Sequence, residues 1–588
     1  IDMKKKLIII LTSCCLCFTF VGCSTLFAPE DENNRGKEDM VNDPAFAEGL
    51  LLNAYVRLPN NYSFDDVATD DAVTNDVNNN YLKMATGQWS AMMNPMNQWE
   101  RSYTSIQYLN MMLEDADNIE WATTGEGTKE LFNDRIKGEC YGLRALNMYY
   151  LLQAHAGRTA DGRLMGVPIL VESQNGESNF NLPRDTFEDC VEQIYSDLSK
   201  AESYLPLDYE DIADASQLPS KYAHVSYTEY NRVFGSYNRQ RMSGRIAKAI
   251  RSKVALLAAS PAFGGTEQQW KDAADYAGEV LDLNGGLSGM ASNGFYWYAR
   301  ENSAEIGGLG DGNNPKEILW RTNVEESNNL ETENFPPSLY GNGRINPTQN
   351  LVDAFPMQNG YPITDKVNGK YNESRPYTSR DPRLAKYIVT NGSTMGPSDS
   401  QIYTEVGKTD DGINAISTST RTGYYMRKLL REDVNLNPVS SQKQVHYYPR
   451  IRYTEIFLNY AEASNRAWGP DGNGEHGYSA RDVIAAIRQR AGIAQPDTYL
   501  ESINTMDEME ELIRNERRLE LCFEGFRFWD LRRWETNLTE AAQGVRIMGT
   551  LYADITVENR VYQNYMNYGP LPYEEILKWD QLLQNKGW

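Results

Sequence analysis

"RNERRLELCFEGFRFWDLRRW" occupies positions 514–534 and sets six Arg, four acidic residues and five aromatic rings into 21 positions. On a helix of 3.6 residues per turn, Leu512, Leu519, Phe523 and Phe526 fall on one stripe, and Glu516 falls on the same stripe. A carboxylate on an apolar face has to be paired, and Arg514, Arg517 and Arg518 lie within helical reach of it. Beyond Gly525 the pattern continues with Arg527, Asp530, Arg532 and Arg533, while Trp529 and Trp534 offer flat faces for guanidinium stacking. General acid–base chemistry needs a carboxyl poised near neutrality, and adjacent Arg drives it the other way. The stretch therefore reads as a structural knot of ion pairs, not a catalytic centre.

Working outward, apolar residues recur at helical spacing in a segment holding Trp99, Tyr103, Ile106 and Leu113. They recur again over about 133–154, 185–204, 244–260, 267–283, 450–467, 480–491 and 508–525. Thr186 with Asp189, and Ser479 with Asp482, have the spacing of a capping box, and Pro206 follows the 185–204 segment. These helices predict a mostly α fold of four tetratricopeptide-like helix pairs, each hairpin burying its apolar face against the next. From 284 to 449 the texture changes to Gly, Asn, Pro, Thr and Tyr, with short strand-like pieces at Glu317–Trp320 and Tyr424–Lys428. Residues 59–98 form a second irregular stretch. Irregular chain of this length carries function more often than not. The expected organisation is one domain over 43–588, with helical repeats over about 99–283 and 450–534 around an irregular ligand-binding insert at about 284–449.

The formal net charge is −24, from 57 Lys and Arg against 81 Asp and Glu, which repels phosphate backbones and disfavours a nucleic-acid partner. At the N-terminus Lys4, Lys5 and Lys6 precede the apolar run Leu7 to Phe20 and then "FVGC". The run is too short to span a bilayer stably and reads as a signal peptide over 1–22. A Cys directly after the small residue predicts lipidation at Cys23, followed by a polar tether over 23–42 that anchors the chain to a membrane without crossing it. Of the remaining thiols, Cys140, Cys190 and Cys522 stand far apart on helical patterns and read as small buried hydrophobes.

The 514–534 stretch resembles the C-terminal signature of the SusD/RagB family of outer-membrane nutrient-binding lipoproteins of Bacteroidetes. The likeness continues, in family order, through "RIKGECYGLRALNMYYLL" (135–152), "GVPIL" (166–170), "NPTQNLVDAFPMQNGYPI" (346–363) and "RDPRL" (380–384). It extends through "GYYMRKLL" (423–430), "RYTEIFLNYAEASNRA" (452–467), "AIRQRAGI" (486–493) and the closing "LLQNKGW". The resemblance implies four tetratricopeptide-like units under an irregular capping region, and a role without catalysis or cofactor. It implies capture of oligosaccharides at the outer surface of the outer membrane and delivery to a SusC-like TonB-dependent transporter, with the helical repeats set against that partner. Some relatives serve peptide uptake, so an oligopeptide ligand is the alternative. The family's acidic export signal usually follows the lipidated Cys directly, whereas "STLFA" intervenes here before "PEDEN".

A sugar site needs flat aromatic faces beside carboxylates, amides and Arg, and three irregular regions offer that mixture. The first, 67–89, holds Asp70 and Asp71, which match the family's acidic loop, and Trp89. The second, "GFYWYARENS" (294–303), sets Tyr296, Trp297 and Tyr298 side by side, and three adjacent rings cannot all point inward. The third pairs "SLYGNGR", with Tyr340, and "YNESRPYTSR", with Arg375. For each ring, packing in the core is the competing assignment. The four His at 155, 224, 446 and 476 have no ligand spacing, and the calcium-loop echo of Asp471, Asn473, Glu475 and Asp482 has His476 where Gly is required. No metal site is expected.

Overall fold

Polar caps start most of the long helices. The computed structural model describes residues 37–123, 125–310 and 312–588, so the signal run, Cys23 and most of the tether lie outside the described residues. The principal helices are α1 (Lys37–Asn42), α2 (Pro44–Val56), α3 (Trp99–Asp115), α4 (Glu126–His155), α5 (Phe187–Tyr204) and α6 (Gly244–Ala259). They continue with α7 (Glu267–Leu283), α8 (Tyr453–Trp468), α9 (Ala480–Ala491), α10 (Met506–Leu521) and α11 (Arg527–Arg533). Thr186 accepts a hydrogen bond from the Asp189 amide at the start of α5, and Ser479 with Asp482 forms a full capping box on α9. Gly492, at φ 93°, ends α9 in the left-handed conformation that Gly adopts without a Cβ clash.

The helices stack in chain order, as α3 on α4, α4 on α5, α5 on α6 and α6 on α7, and α7 then packs directly on α8. The pair α7–α8 therefore forms across the whole irregular insert, and α9 and α10 complete the stack against α8. The fold is mostly α, as expected, with short two-stranded ladders in the insert. One ladder, Ile318–Arg321 against Pro449–Arg452, joins the insert's two ends just before α8 begins. A second, Glu325–Ser327 against Gln444–His446, extends it outward.

Among the described residues two large hydrophobic cores result, beside two smaller clusters, one around Trp89 and Phe528 and one around Trp270. The first fills the helix stack and includes Leu512. The second lies under the insert and gathers Trp297, Phe355, Tyr387, Tyr424 and Tyr425 with Leu519 and Phe523. The apolar stripe of the opening stretch is thus shared between both cores, Leu512 facing the first and Leu519 the second, with Phe523, at φ 65° just past the end of α10 at Leu521, joining Leu519 there.

Glu516 is fully buried, as its place on that stripe requires, but its partners are not its helical neighbours. Arg383 Nη1 donates to Glu516 Oε2 at 2.8 Å and Arg488 Nη1 donates to Oε1 at 2.8 Å. Arg514 turns instead to Glu510, Arg517 to Asp530, and Arg518 to Asp71. Arg383 also reaches Glu520, which Arg490 holds from the other side, and Lys428 Nζ donates to Glu524 at 2.7 Å. The helix surface already offered α10 three cations, yet the buried position faces the insert and α9, so only cations from those segments reach it.

Three further departures are local. Residues Lys37–Asn42, assigned to the tether, are helical, and Met40 is 1% exposed within the first core. Helix α2 was not foreseen because "PAFAEGLLLNAYV" is apolar on nearly every face, which erases the 3.6-residue period. The hairpin Ala542–Met548 with Leu551–Glu558 turns at Gly549, φ 61°, and lies beyond the segments read as repeats.

The ion pairing gives a test of this arrangement. Removing one partner of a buried pair costs about 3–5 kcal/mol, while an exposed pair is worth about 1 kcal/mol or less. Glu516→Ala should therefore lower unfolding stability in urea by about 3–5 kcal/mol, and Arg514→Ala, whose side chain is 34% exposed, by far less. Equal losses in the two variants would return Arg514 to the role of Glu516's partner.

Candidate ligand-binding cleft

A cleft of about 650 Å³ opens between the 60–64 segment, the outer ladder and the loop running from Glu333 to Arg344. That volume lies within the range of sites that take small organic ligands. Its walls are aromatic. Tyr62 and Tyr448 meet edge to face with ring centroids 5.0 Å apart, and Phe64 lies 5.9 Å from Tyr62. Both Tyr62 and Tyr448 remain half-buried, so each keeps an accessible surface. Below them Trp297 and Tyr447 pack at 5.3 Å. Burial pushes the phenols of Tyr62 and Tyr448 upward, which leaves both as neutral hydroxyls able to donate and accept.

Polar groups complete the walls. Arg344 donates to Glu333 at 3.3 Å and to the Asn75 side chain at 3.2 Å. Arg431 is held by Asp433 at 2.7 Å, and the amide-bearing side chains of Asn61, Asn323 and Asn329 stand exposed on the lining. Two wall residues, Phe64 (φ 51°) and Leu429 (φ 72°), sit in the left-handed region at a cost of about 1–2 kcal/mol each. Strain of this kind collects at functional sites, where surrounding packing enforces it.

His446 also lines the cleft, with Nε2 3.0 Å from Glu331 Oε1. Burial works against its charged form, but the hydrogen bond and charge of Glu331 outweigh that, and its pKa is raised above the ordinary 6.5. His155, buried and hydrogen-bonded to the Pro570 carbonyl, moves the other way, to about 4, mainly through burial. His224 and His476 pair with carboxylates elsewhere, and among the described residues no group of His, Cys, Asp and Glu is placed to hold a metal.

The residues nominated from sequence do not converge. Trp297 and Tyr298 lie in the cleft wall but are only 2% and 6% exposed, so they form its floor. Tyr296, beside them, is half-buried under the Lys386 ammonium, outside the lining. Tyr340 is 57% exposed in the loop between Glu333 and Arg344, at φ 65°, yet does not line the cleft. Arg375 is exposed on its own loop and lines none of the principal cavities.

Trp89 is a correction. It is 8% exposed, with Arg532 over its ring at 4.6 Å, Trp588 at 4.7 Å and Phe528 at 5.9 Å, so its faces are already covered. Asp70 and Asp71 are likewise occupied, by Arg527 at 2.8 Å and Arg518 at 2.6 Å. They extend the ion-pair network of the opening stretch, and no carboxylate oxygen of theirs lines the cleft. The wall residues that sequence reasoning missed are Tyr62 and Tyr448. "HYYPR" (446–450) carried a usable signal, because adjacent rings on extended chain point to opposite faces. Tyr447 indeed turns inward, at 8% exposed, and Tyr448 outward.

The comparisons agree with this architecture. A profile described as the SusD family matches residues 316–588, and another, described as starch-binding associating with outer membrane, matches residues 46–231. SusD-like protein P38 of Formosa agariphila is 23% identical over 470 residues, covering 77% of this chain and 74% of that protein. Among solved structures, a SusD-like protein from Bacteroides fragilis superposes with a TM-score of 0.71 at 22% identity, covering 95% of this chain and all of that one (100%). A SusD-like carbohydrate binding protein from the same species superposes with a TM-score of 0.67 at 21% identity, covering 92% of this chain and 100% of that one.

The half-buried His446 and the buried His155 make the electrostatics measurable. In ¹H NMR titrations assigned with His446→Gln and His155→Gln, the His446 ring should titrate above 6.5 and the His155 ring near 4. Because the His446 value is raised on folding, its ion pair stabilises the fold fully below the unfolded value near 6.5 and ceases to do so as pH rises through the folded value. Glu331→Gln should bring His446 down, and an unchanged titration would remove Glu331 as the cause.

Proposed function

This chain belongs to the SusD/RagB family, and on that premise we propose that it is a glycan-binding lipoprotein of the outer membrane. It captures oligosaccharides in the cleft at Tyr62 and Tyr448 and hands them to a SusC-like TonB-dependent transporter. The observation that carries the reading is the cleft itself. Two accessible tyrosine rings, a floor of Trp297 and Tyr447, and guanidinium and amide groups around them match the apolar faces and hydroxyl edges of a sugar. The carbohydrate-binding relative from Bacteroides fragilis supports it by kinship. On this reading the site acts by binding and not by catalysis, with Arg344 paired to Glu333 and Arg431 to Asp433. Of the residues nominated from sequence, Trp297 and Tyr298 are assigned to this site. The lipid anchor is assigned to Cys23, and the outward-facing orientation rests on the family resemblance alone, the acidic export signal being displaced by "STLFA".

An oligopeptide is the second reading. The outer ladder has two strands, and residues of both stand in the cleft wall, so an extended peptide has a sheet edge to join.

Calorimetric titration with a panel of oligosaccharides and peptides separates the two. Aromatic hot spots lose roughly 2 kcal/mol or more on truncation, equivalent to about 30-fold in affinity. Tyr448→Ala should weaken the best oligosaccharide at least about 30-fold, Arg344→Ala less, and added salt should change little for a neutral ligand. Trp89→Ala should lower stability with affinity intact. Steep salt dependence, with peptides binding and sugars failing, would decide for the peptide. For the anchor, Cys23→Ala should move the protein from membrane to soluble fractions. Retention of the variant in membranes with label from palmitate still incorporated would place the lipid elsewhere.

A further inference from the structure

A second cavity, about 210 Å³ and half-open, adjoins the cleft, with Tyr62 and Tyr448 in the walls of both. Five cations and four carboxyl groups line it. Lys253, Arg452 and Arg517 are each paired with a lining carboxylate at 2.7 Å, and Arg533 with Asp530 at 2.9 Å. Arg450 is the cation left over. Its Nη1 donates to the Arg321 carbonyl at 3.3 Å and its guanidinium lies 5.0 Å from the Trp320 ring centre, so both neighbours are neutral. Asp65, the acid left over, is pushed up to about 7 by burial, which makes it only a partial countercharge.

Two further guanidinium groups stand beside its lining. Arg57, two residues before the lining residue Pro59, donates to the Asn53 carbonyl at 3.3 Å and lies 5.7 Å from the Tyr108 ring centre. Arg101, three residues after the lining residue Gln98, is exposed in the first turn of α3, where the helix dipole disfavours a cation. Among the described residues, neither of them nor Arg450 has a carboxylate within ion-pairing distance. The three gather at Tyr150, because the charges of Arg450 and Arg101 both act on its phenol and that of Arg57 acts on Arg101. Burial pushes that phenol up to about 12, so it stands on the cavity wall as a neutral donor. The nearby carboxylates are engaged elsewhere. Glu455, which also acts on Tyr150, is held by Lys253 at 2.7 Å, and Glu100, beside Arg101 in the chain, acts on Lys578. In a chain of net charge −24, three unpaired guanidinium groups around one hydroxyl reverse the local sign. Like charges held together favour an anion beside them, and the guanidinium fork matches the oxygens of carboxylates and phosphate-like esters.

We propose that Arg57, Arg101 and Arg450, with the Tyr150 hydroxyl, form a site for one anionic substituent of the glycan, a uronate carboxylate or a sulfate ester, on a chain that crosses Tyr62 and Tyr448 from the cleft. The proposal rests on the glycan reading of the cleft and adds the substrate class, an acidic oligosaccharide. In the cleft itself Arg344 and Arg431 are already paired with Glu333 and Asp433, so the ligand's charge is read at the second cavity.

The test sets acidic oligosaccharides beside their neutral forms. Fragments of pectin and alginate, with their methyl esters, and of carrageenan, with its desulfated form, are titrated by calorimetry into the mature protein at low salt, together with neutral oligosaccharides. The wild type should bind one acidic member at least about tenfold tighter than its neutral counterpart, and added salt should shrink the difference. A preference within the esterified pairs identifies the carboxylate, and one within the desulfated pair identifies the sulfate. Arg101→Gln and Arg450→Gln should each cut the preference at least about fivefold, while Arg101→Lys, which keeps the charge, retains most of it. Melting is followed in parallel. A crystal structure of the wild type with the preferred sugar should show its charged group beside Tyr150, which covers the case of a variant that melts early. Neutral sugars that bind as tightly as acidic ones, or an acidic preference that both Gln variants keep, overturn the anion site and leave the cleft reading standing. Failure of every sugar to bind the wild type overturns the cleft reading first and the anion site with it.

Discussion

Glu516, Glu520 and Glu524 each meet cations from two different parts of the chain, and on those contacts the rest of the structure depends. Glu516 and Glu520 are fully buried, and the Glu524 side chain is 4% exposed. Burial alone would push Glu520 and Glu524 up, but Arg490 and Arg383 around the first, and Arg452 and Lys428 around the second, hold both below the usual carboxylate range. Arg383 and Lys428 come from the insert, and Arg488, Arg490 and Arg452 from the helical side. An insert built from isolated two-stranded ladders has little stability of its own. Its second core and these ion pairs join it to the stack.

The same contacts place the candidate cleft. Arg452 bridges Glu524 and Glu317, at 2.7 Å to each, and so ties the opening stretch to the inner ladder. That ladder continues on one strand into Thr322–Ser327 and on the other back into His446–Tyr448, which are cleft walls. The opening stretch therefore supports the cleft walls without lining the cleft. It supports the walls from below, while its outer end, with α8 and α4, lines a second, smaller cavity.

Rigid support under irregular walls divides the fold between a scaffold and a variable surface. The wall residues lie on short elements whose backbone can accept different side chains, as loops on a scaffold commonly do. The floor, Trp297 and Tyr447, belongs to well-packed chain and gives the site a fixed base.

Much of the helical scaffold was legible in the sequence. The starts of α5 and α9 followed from Thr186 and Ser479, and a carboxylate at Glu516 on an apolar stripe had to be buried and paired. These are rules acting over three or four residues, and a reader needs only neighbours to apply them. What the sequence could not decide was which partner each charge takes and which ring keeps an open face. Arg383 finds Glu516 across 133 positions, and Arg527 finds Asp70 across 457. Trp89 lost its free face to Arg532, and Tyr448 kept part of its own, for the same reason. In irregular chain a side chain's exposure is set by whatever the fold brings against it, and no local period records that.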